Sequence, residues 1–202
     1  MNKILENEKI VIKKDEVLFL TDNDINIDID ESAKVVIYHF IIDNSSNVNI
    51  NLNHENIDLE YHYSTINYKD NNFVINIYHN RKNTTSNIYN HGVNVFNNKL
   101  HFDVNGYVYK DMTNTICNQE NQIINIKDGK STILPKLYIE CFDSIANHSA
   151  YISKFNKDVL FYMESRGLDK EKAYQLLMKS FLIPNTIKNE YTEMFIKEIN
   201  KI

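Results

Sequence analysis

One histidine, His148, stands out by its position in the sequence, and histidine is a residue type that can bind a metal ion. It stands just before the chain changes from strand-like alternation to two successive helical patterns. A neutral imidazole binds iron readily, but a histidine that is hydrogen-bonded at a subunit contact explains the position equally well. Glu140 and Asp143 can assist His148 only if they share its face, because side chains alternate along a strand. Both interpretations of His148 therefore stay open.

The two cysteines, Cys117 and Cys141, are too few to form a metal centre alone. They form neither a CxxC pair nor a disulfide framework, and they cannot supply the four ligands of an iron–sulfur cluster or a structural zinc. Buried small hydrophobic side chains explain one or both of them. Metal chemistry would thus require histidines, carboxylates or a second chain.

The remaining sequence carries no enzyme signature. It has no GxxxxGK(S/T) phosphate loop, no GxSxG turn and no HExxH zinc motif. Six further histidines have neither HxH nor i, i+4 ligand spacing: His39, His54, His62, His79, His91 and His101. We therefore expect a protein that is not an enzyme, and any coupled ATP hydrolysis would come from a partner.

Composition limits the classes of partner. The 202 residues are 43% hydrophobic and 24% charged, which is enough for one substantial core, and the formal charge is -5. A negative chain lacks the basic surplus that binds phosphate backbones or anionic lipid, so neither nucleic acid nor membrane is an expected partner. No apolar run approaches the ~18 residues of a spanning helix, and the first residues lack the apolar core of a signal peptide. We expect a cytoplasmic protein.

The first hundred residues alternate apolar and polar side chains with a period of two, which predicts half-buried strands. Three such runs are Ile25–Ile29, Val48–Leu52 and Phe73–Tyr78, and Val35–Ile42 is a continuous apolar run typical of a strand buried on both faces. The β region extends to about Ile152. Many short strands at fairly even spacing indicate a sandwich or a parallel β-solenoid. No exact repeat length decides between them.

Asparagine and aspartate must form most turns, because the chain has only four glycines and two prolines. Asn105–Gly106 and Asp128–Gly129 are the two candidates for tight hairpins. Asparagine also alternates with isoleucine, and this pattern is consistent with a functional ladder. A polar outer face or a stacked corner is the favoured interpretation.

Helical patterns follow the β region. Asn156 is a candidate cap for a first helix that ends at Gly167, and Asp169 is placed to cap a second helix that must stop near Ile183. The second helix is predicted to share one apolar face formed by Ala173, Leu176, Leu177 and Ser180–Phe181. A third amphipathic segment begins at about Asn185. The predicted boundaries are residues 1–154 for the β body and 155–202 for a C-terminal helical domain.

The order of motifs in the last hundred residues resembles the C-terminal core of the SufB/SufD family of iron–sulfur cluster assembly proteins. The matching runs are Leu134-Pro135-x-Leu137-x-Ile139, a histidine nine residues later, Leu160-Phe161-Tyr162-x-x-Ser165-Arg166-Gly167-Leu168, and the spaced residues Ala173, Leu176, Leu177 and Phe181. The chain departs from the family pattern around the histidine, with Asp143-Ser144-Ile145, Ser149 and Tyr151 in place of the usual residues. The helical half of the motif is thus the better preserved.

The resemblance implies a right-handed parallel β-helix followed by a small C-terminal helical domain. Family members pair through the β-helix as SufB–SufD heterodimers or homodimers, and their C-terminal helices bind the ABC ATPase SufC. Residues that the resemblance implies for this docking are Phe161, Tyr162, Arg166, Gly167, Leu176, Leu177 and Phe181. Packing inside the chain explains any one of them equally well.

The resemblance also implies that iron or a nascent cluster is handled at a subunit interface. In SufD-like members the position of His148 is a proposed cluster ligand or iron entry residue. Cys117 falls a few residues before the place of the SufB cysteine, where this chain has Gln119-Glu120-Asn121, and a core thiol is its favoured interpretation. The chain therefore resembles SufD more than SufB, and a transient iron or cluster is expected at a subunit contact without a stably bound cofactor.

Two rival functions are open at this point. A β-solenoid enzyme acting on polysaccharide would need a line of carboxylates and aromatic residues along one face, together with secretion. A structural module whose helices dimerise, without cluster chemistry, needs neither. Complex formation with SufC separates both from the assembly function.

Overall fold

The computed structural model describes residues 5–6, 9–184, 187 and 189–202, and in this part of the chain a series of strands precedes three helices. The strands are β1 (Leu5–Glu6), β2 (Lys9–Ile12), β3 (Glu16–Leu20), β4 (Asp24–Ile29), β5 (Lys34–Ile42), β6 (Ser46–Leu52), β7 (Asp58–Asn67), β8 (Asn71–His79), β9 (Thr85–Asn94), β10 (Leu100–Val108), β11 (Thr115–Asn125), β12 (Thr132–Ile139) and β13 (Ser144–Ser153). The helices are α1 (Lys157–Ser165), α2 (Lys170–Leu182) and α3 (Glu190–Ile199).

The strands form a parallel β-solenoid in which successive strands alternate between two sheets. Sheet A has the order β1-β2-β4-β6-β8-β10-β12, and sheet B has the order β13-β11-β9-β7-β5-β3. Every described strand pair is parallel except β1 with β2. Hairpins of a sandwich would make sequential strands antiparallel neighbours. The solenoid alternative is therefore confirmed.

Alternating side chains fill the space between the two sheets. Tyr63 lies flat against Phe73 with ring centroids 3.7 Å apart, and Phe102 meets both rings edge-on. All three side chains are buried. The prediction of a strand buried on both faces holds for β5, because Ile37 belongs to the solenoid core whereas Phe40 packs in a second cluster with the helices.

Asparagine side chains form hydrogen-bonded columns that run across neighbouring coils. On sheet B, Asn147 donates to Asn118 and Asn118 donates to Asn87, each over 3.0 Å. Sheet A carries a similar column, and the coils joined by these bonds differ in length, with partners 23, 27, 29 or 31 residues apart. These columns confirm the interpretation of asparagine as a stacked polar face.

The corners of the solenoid are formed by asparagine and aspartate, as predicted. Among the described residues, five that are not glycine have a positive φ: Asp43, Asn56, Asn83, Asp111 and Asn114. The prediction of hairpins at the two glycine-containing pairs is wrong. Asn105–Gly106 lies inside β10, which pairs in parallel with β8 and β12, and Asp128–Gly129 connects strands of different sheets. Parallel pairing of neighbouring coils overrides the local turn preference.

The predicted helix ends are confirmed. Asn156 accepts from the Asp158 amide over 2.8 Å, Asp169 accepts from the Lys172 amide over 2.7 Å, and Gly167 has a φ of 90° at the end of α1. The predicted start of the third helix at about Asn185 lies outside the described residues, and α3 is capped by Asn189. Within the described residues, no helix is long and apolar enough to cross a membrane.

The predicted apolar face of α2 is only partly right. Its buried residues are Ala173, Gln175, Met178 and Leu182, whereas Leu176 and Ser180 are exposed. Met178 and Leu182 pack with strand residues such as Phe40 and with Phe195 of α3 in one buried cluster. The buried face of α2 is rotated around the helix relative to the predicted face, because α2 contacts strand β9 and the other two helices. The division into two domains at residue 154 stays a prediction.

Candidate functional site

The last coil of the described solenoid ends in β12 and β13, which are the terminal strands of their sheets. We call this end, formed by Thr132–Ser153, the open end. Large apolar side chains are exposed on it: Leu134, Tyr138, Phe142, Ile145, Tyr151 and Ile152. An edge strand with free backbone groups and exposed apolar side chains is a surface suited to pairing with another chain.

His148 lies in the middle of β13 and belongs to the inner row of sheet B. It is in register with Gln119 of β11, which is in register with Ile88 of β9, and both of these side chains are buried. Because residues in parallel register point to the same face, His148 points toward the solenoid interior. It is nevertheless exposed, since no further coil of the described chain covers it. The next inner positions along β13 are Ala146 and Ala150, which leave room around the imidazole.

Cys117 is a buried thiol in the same inner row. It packs with Val108 and Cys141 in a small cluster just inside the open end. Burial raises the pKa of the Cys117 thiol to about 11, so the protonated form predominates at neutral pH. Its β-strand partner is Ala146, which places the Cα atoms of Cys117 and His148 about 8 Å apart, from the usual strand spacings. Thus the two predicted metal residues share one face, and the environment of Cys117 favours the core-thiol interpretation.

A chain of hydrogen bonds that the sequence did not predict lies next to Cys117 in the solenoid. The Thr84 hydroxyl donates to the Arg81 carbonyl, so it accepts from Nδ1 of His79 over 2.8 Å. Nε2 of His79 then accepts from the Ser86 hydroxyl over 2.9 Å, and Ser86 is the register partner of Cys117 on β9. Burial lowers the pKa of His79 to about 3, which keeps it neutral. The Cys117 thiol therefore lies next to a neutral, oriented network.

Gly106 allows the core to close tightly at this point. A Cβ atom on Gly106 would lie 2.6 Å from Sγ of Cys117 and 3.1 Å from Nε2 of Gln119. Only glycine accepts such a close approach of side chains to its backbone. No group of three or more histidine, cysteine or acidic side chains within the described ranges is arranged to hold a metal ion. The chain alone thus offers His148 as a single exposed imidazole.

We expect both cysteines to resist labelling in the folded protein. For Cys117, a thiol pKa of about 11 leaves about 300-fold less thiolate at pH 7 than the ordinary value near 8.5, and both side chains are buried. The measurement is the rate of reaction with a disulfide reagent in native buffer and, as a control, in denaturant, where both thiols should react quickly. Rapid labelling of one thiol in the folded protein would show that the buried environment opens.

The helices present a second surface, on α1 and the adjoining part of α2. Phe161 and Tyr162 are 73% and 58% exposed, and the Arg166 guanidinium lies 5.2 Å from the Tyr162 ring centroid. Leu176 is also exposed, whereas Leu160, which directly precedes Phe161 in α1, is buried. We call Phe161, Tyr162, Arg166 and Leu176 the helical patch. Its aromatic and arginine side chains are of the types enriched in interface hot spots.

Two of the other residues predicted for docking, Leu177 and Phe181, are less available. Leu177 is half-buried, and Phe181 is half-buried with its ring stacked on His91 at a centroid distance of 4.6 Å. Phe181 also packs against the cluster that joins the helices to sheet B. Gly167 is exposed and has no heavy atom within 4 Å of an added Cβ. Five of the seven predicted residues are thus exposed, namely Phe161, Tyr162, Arg166, Gly167 and Leu176, whereas Phe181 has an internal contact.

Comparison with known protein families shows to which family the chain belongs. Residues 10–181 match the family model described as "SUF system FeS cluster assembly, SufBD core domain". The chain belongs to the SufB/SufD family. The match begins in β2 and ends near the close of α2, so it covers the solenoid, the open end and the helical patch. Membership in the SufB/SufD family supports a role in Suf-type iron–sulfur cluster assembly.

Two curated SufB/SufD relatives align with parts of the chain. An iron–sulfur cluster assembly SufBD family protein of Pyrococcus horikoshii is 46% identical over 56 residues, which are 28% of this chain and 12% of the relative. The iron–sulfur cluster assembly protein SufD of Bacillus subtilis is 28% identical over 114 residues, which are 56% of this chain and 26% of the relative. The aligned segments therefore span about a quarter or less of these relatives.

Proposed function

We propose that this SufB/SufD-family chain is a SufD-like, non-catalytic subunit of an iron–sulfur assembly complex. The observation that carries the proposal is the open end, where an inward-pointing His148 is exposed on a terminal strand whose outer face carries the exposed apolar side chains of Ile145 and Tyr151. Such an arrangement is suited to contact with a second subunit. A second subunit placed there would bury the apolar side chains and enclose the imidazole.

The second subunit is either another copy of this chain or a SufB-like chain. Terminal strands β12 and β13 offer unpaired backbone N–H and C=O groups to it. Exposed side chains such as Ile145 and Tyr151 would supply apolar contact area. Dimerisation through this end also provides ligands that the described residues of one chain lack. Iron or a nascent cluster is then the cargo of the interface, with His148 as the ligand from this chain and the Cys117 thiol as a minor candidate.

A SufC-like ATPase is the proposed partner of the helical patch. Phe161 and Tyr162 project from α1 as large exposed rings, and an exposed aromatic pair next to an arginine is suited to a groove on a partner. Gly167 ends α1 with a sharp turn that places the patch at the junction of two helices. ATP hydrolysis in the complex is assigned to that partner.

The test is reconstitution with SufC from the same source. We expect a stable complex on size-exclusion chromatography and stimulated ATP hydrolysis by SufC, because the helical patch supplies the docking surface. Failure to form any complex contradicts the assembly proposal and leaves the structural or polysaccharide alternatives. A complex that forms without this chain's helices would contradict the docking site alone.

His148→Ala tests the cargo site in the complex. After anaerobic addition of ferrous iron and sulfide, we expect the variant to retain less iron than the wild type, since one ligand at the interface is lost. His54→Ala is the control, because His54 is a half-buried residue that follows β6, and β8 and β10 separate β6 from the open end. Equal iron content in all three proteins would exclude His148 as an essential ligand.

A further inference from the structure

The buried amide of Gln119 has one polar atom without a partner. Gln119 is 4% exposed, and its Nε2 donates to the backbone carbonyl of Lys136 over 3.3 Å. Its Oε1 is buried and accepts no hydrogen bond from the described residues. Burying an acceptor without a donor is unfavourable, and native proteins rarely leave one so. The Oε1 atom of Gln119 is therefore a buried acceptor to which no described residue donates a hydrogen bond.

The orientation of the amide follows from its neighbour. A carbonyl oxygen can only accept, so the NH₂ group of Gln119 must face the Lys136 carbonyl. Exchanging the two ends of the amide would place two acceptors together. The atom without a partner is therefore the oxygen.

The inward-facing neighbours of Gln119 show which hydrogen-bond donor is available to its Oε1 atom. Along β11, the Cys117 thiol packs in an apolar cluster with Val108 and Cys141, and the Asn121 amide donates to the Ser149 carbonyl over 3.0 Å. In the preceding coil the neighbour is Ile88, which has no polar side-chain atom. In the following coil it is His148, one strand spacing of about 4.8 Å away. His148 makes no hydrogen bond within the described part of the chain, and both side chains are long enough for a rotation to join them.

We infer that Gln119 is a positioning residue for His148: its Oε1 accepts the N–H of one imidazole nitrogen and leaves the lone pair of the other directed out of the open end. A histidine that binds a metal commonly donates its second nitrogen to a carbonyl or carboxylate, which fixes the tautomer and the ring orientation. Gln119 supplies this carbonyl from the previous coil. The part of this inference that concerns iron rests on the proposed function, whereas the part that concerns the tautomer does not.

The first measurement is the tautomer of His148 in the full-length, metal-free protein, read from the ¹⁵N chemical shifts of its ring. We expect one tautomer to dominate in the wild type. Gln119→Leu, which keeps the bulk but removes the acceptor, should give a mixture like that of a free histidine. Equal tautomer populations in the wild type, or an unchanged single tautomer in Gln119→Leu, would overturn the inference. The wild-type measurement needs no variant, so it decides even if Gln119→Leu does not fold.

The second measurement is the affinity for Co²⁺, used alone as a stand-in for ferrous iron and followed by its visible absorption. In the complex that binds the metal, Gln119→Leu should weaken binding about 10- to 100-fold. Unchanged affinity in Gln119→Leu contradicts positioning of a ligand by Gln119. If the wild type fixes one tautomer but binds no Co²⁺, the proposed cargo role of His148 fails while the positioning of its ring by Gln119 is supported.

Discussion

Replacing Phe195 by alanine is expected to lower the free energy of unfolding by about 3–5 kcal/mol, the range for removing a large buried aromatic side chain. Phe195 of α3 is fully buried, and its ring centroid lies 5.2 Å from that of Phe40 in β5. The lost ring would leave a cavity between the helices and sheet B. Chemical denaturation followed by circular dichroism and tyrosine fluorescence measures the change, since the chain has no tryptophan.

Met194→Ala is the matched control on the same helix. Met194 is exposed, so its truncation should change stability by less than about 0.5 kcal/mol. Because the helices and sheet B share one buried cluster, we expect the wild type to unfold in a single transition at both probes. Two separate transitions would instead support a helical domain that folds independently from residue 155 onward.

Replacing both Phe161 and Tyr162 by alanine should weaken binding of a SufC-like ATPase by about 100-fold or more. Hot-spot aromatic residues each contribute about 2 kcal/mol or more to binding, and 1.4 kcal/mol corresponds to a tenfold change in affinity. Loss of Tyr162 also removes the ring over which Arg166 lies. Isothermal calorimetry with the purified ATPase measures the change.

The control for this pair is Phe142→Ala. Phe142 is a fully exposed aromatic residue at the corner between β12 and β13, so its loss removes similar surface away from α1. We expect the helical-patch variant to keep the wild-type melting temperature, because both rings are largely exposed. An unchanged affinity in a folded double variant would move the docking site elsewhere on the chain.

The local features of the fold were predictable because each depends on a few adjacent residues. A period of two placed the strands, and the side chains of Asn156 and Asp169 capped the helices where the sequence placed them. The choice between sandwich and solenoid was not predictable from spacing. The coils differ in length by up to eight residues, since asparagine partners are 23 to 31 residues apart. The additional residues of the longer coils lie in the corners while the strands stay in register, so the sequence shows no fixed repeat length.

Features that depend on contacts between distant coils were missed. His79 was grouped with isolated histidines, although Ser86 and Thr84 bind both of its nitrogens. Gln119 was noted only for its place in a family motif, and its unpaired oxygen becomes evident when Lys136 is brought beside it. The burial of α2 was misjudged for the same reason, because its apolar residues extend around the helix and the neighbouring elements select which of them are covered.

The position of Asn105–Gly106 inside a strand also affects the chemical ageing of the protein. Asparagine followed by glycine is the sequence most prone to deamidation, because the flexible glycine nitrogen can attack the asparagine side chain and close a five-membered ring. In β10 that segment is extended and paired on both sides, by β8 and by β12. The backbone cannot fold back to close the ring there. Asn105 is therefore protected from deamidation in the folded chain, because it lies in a strand and not in a turn. We expect it to deamidate only in molecules that have unfolded.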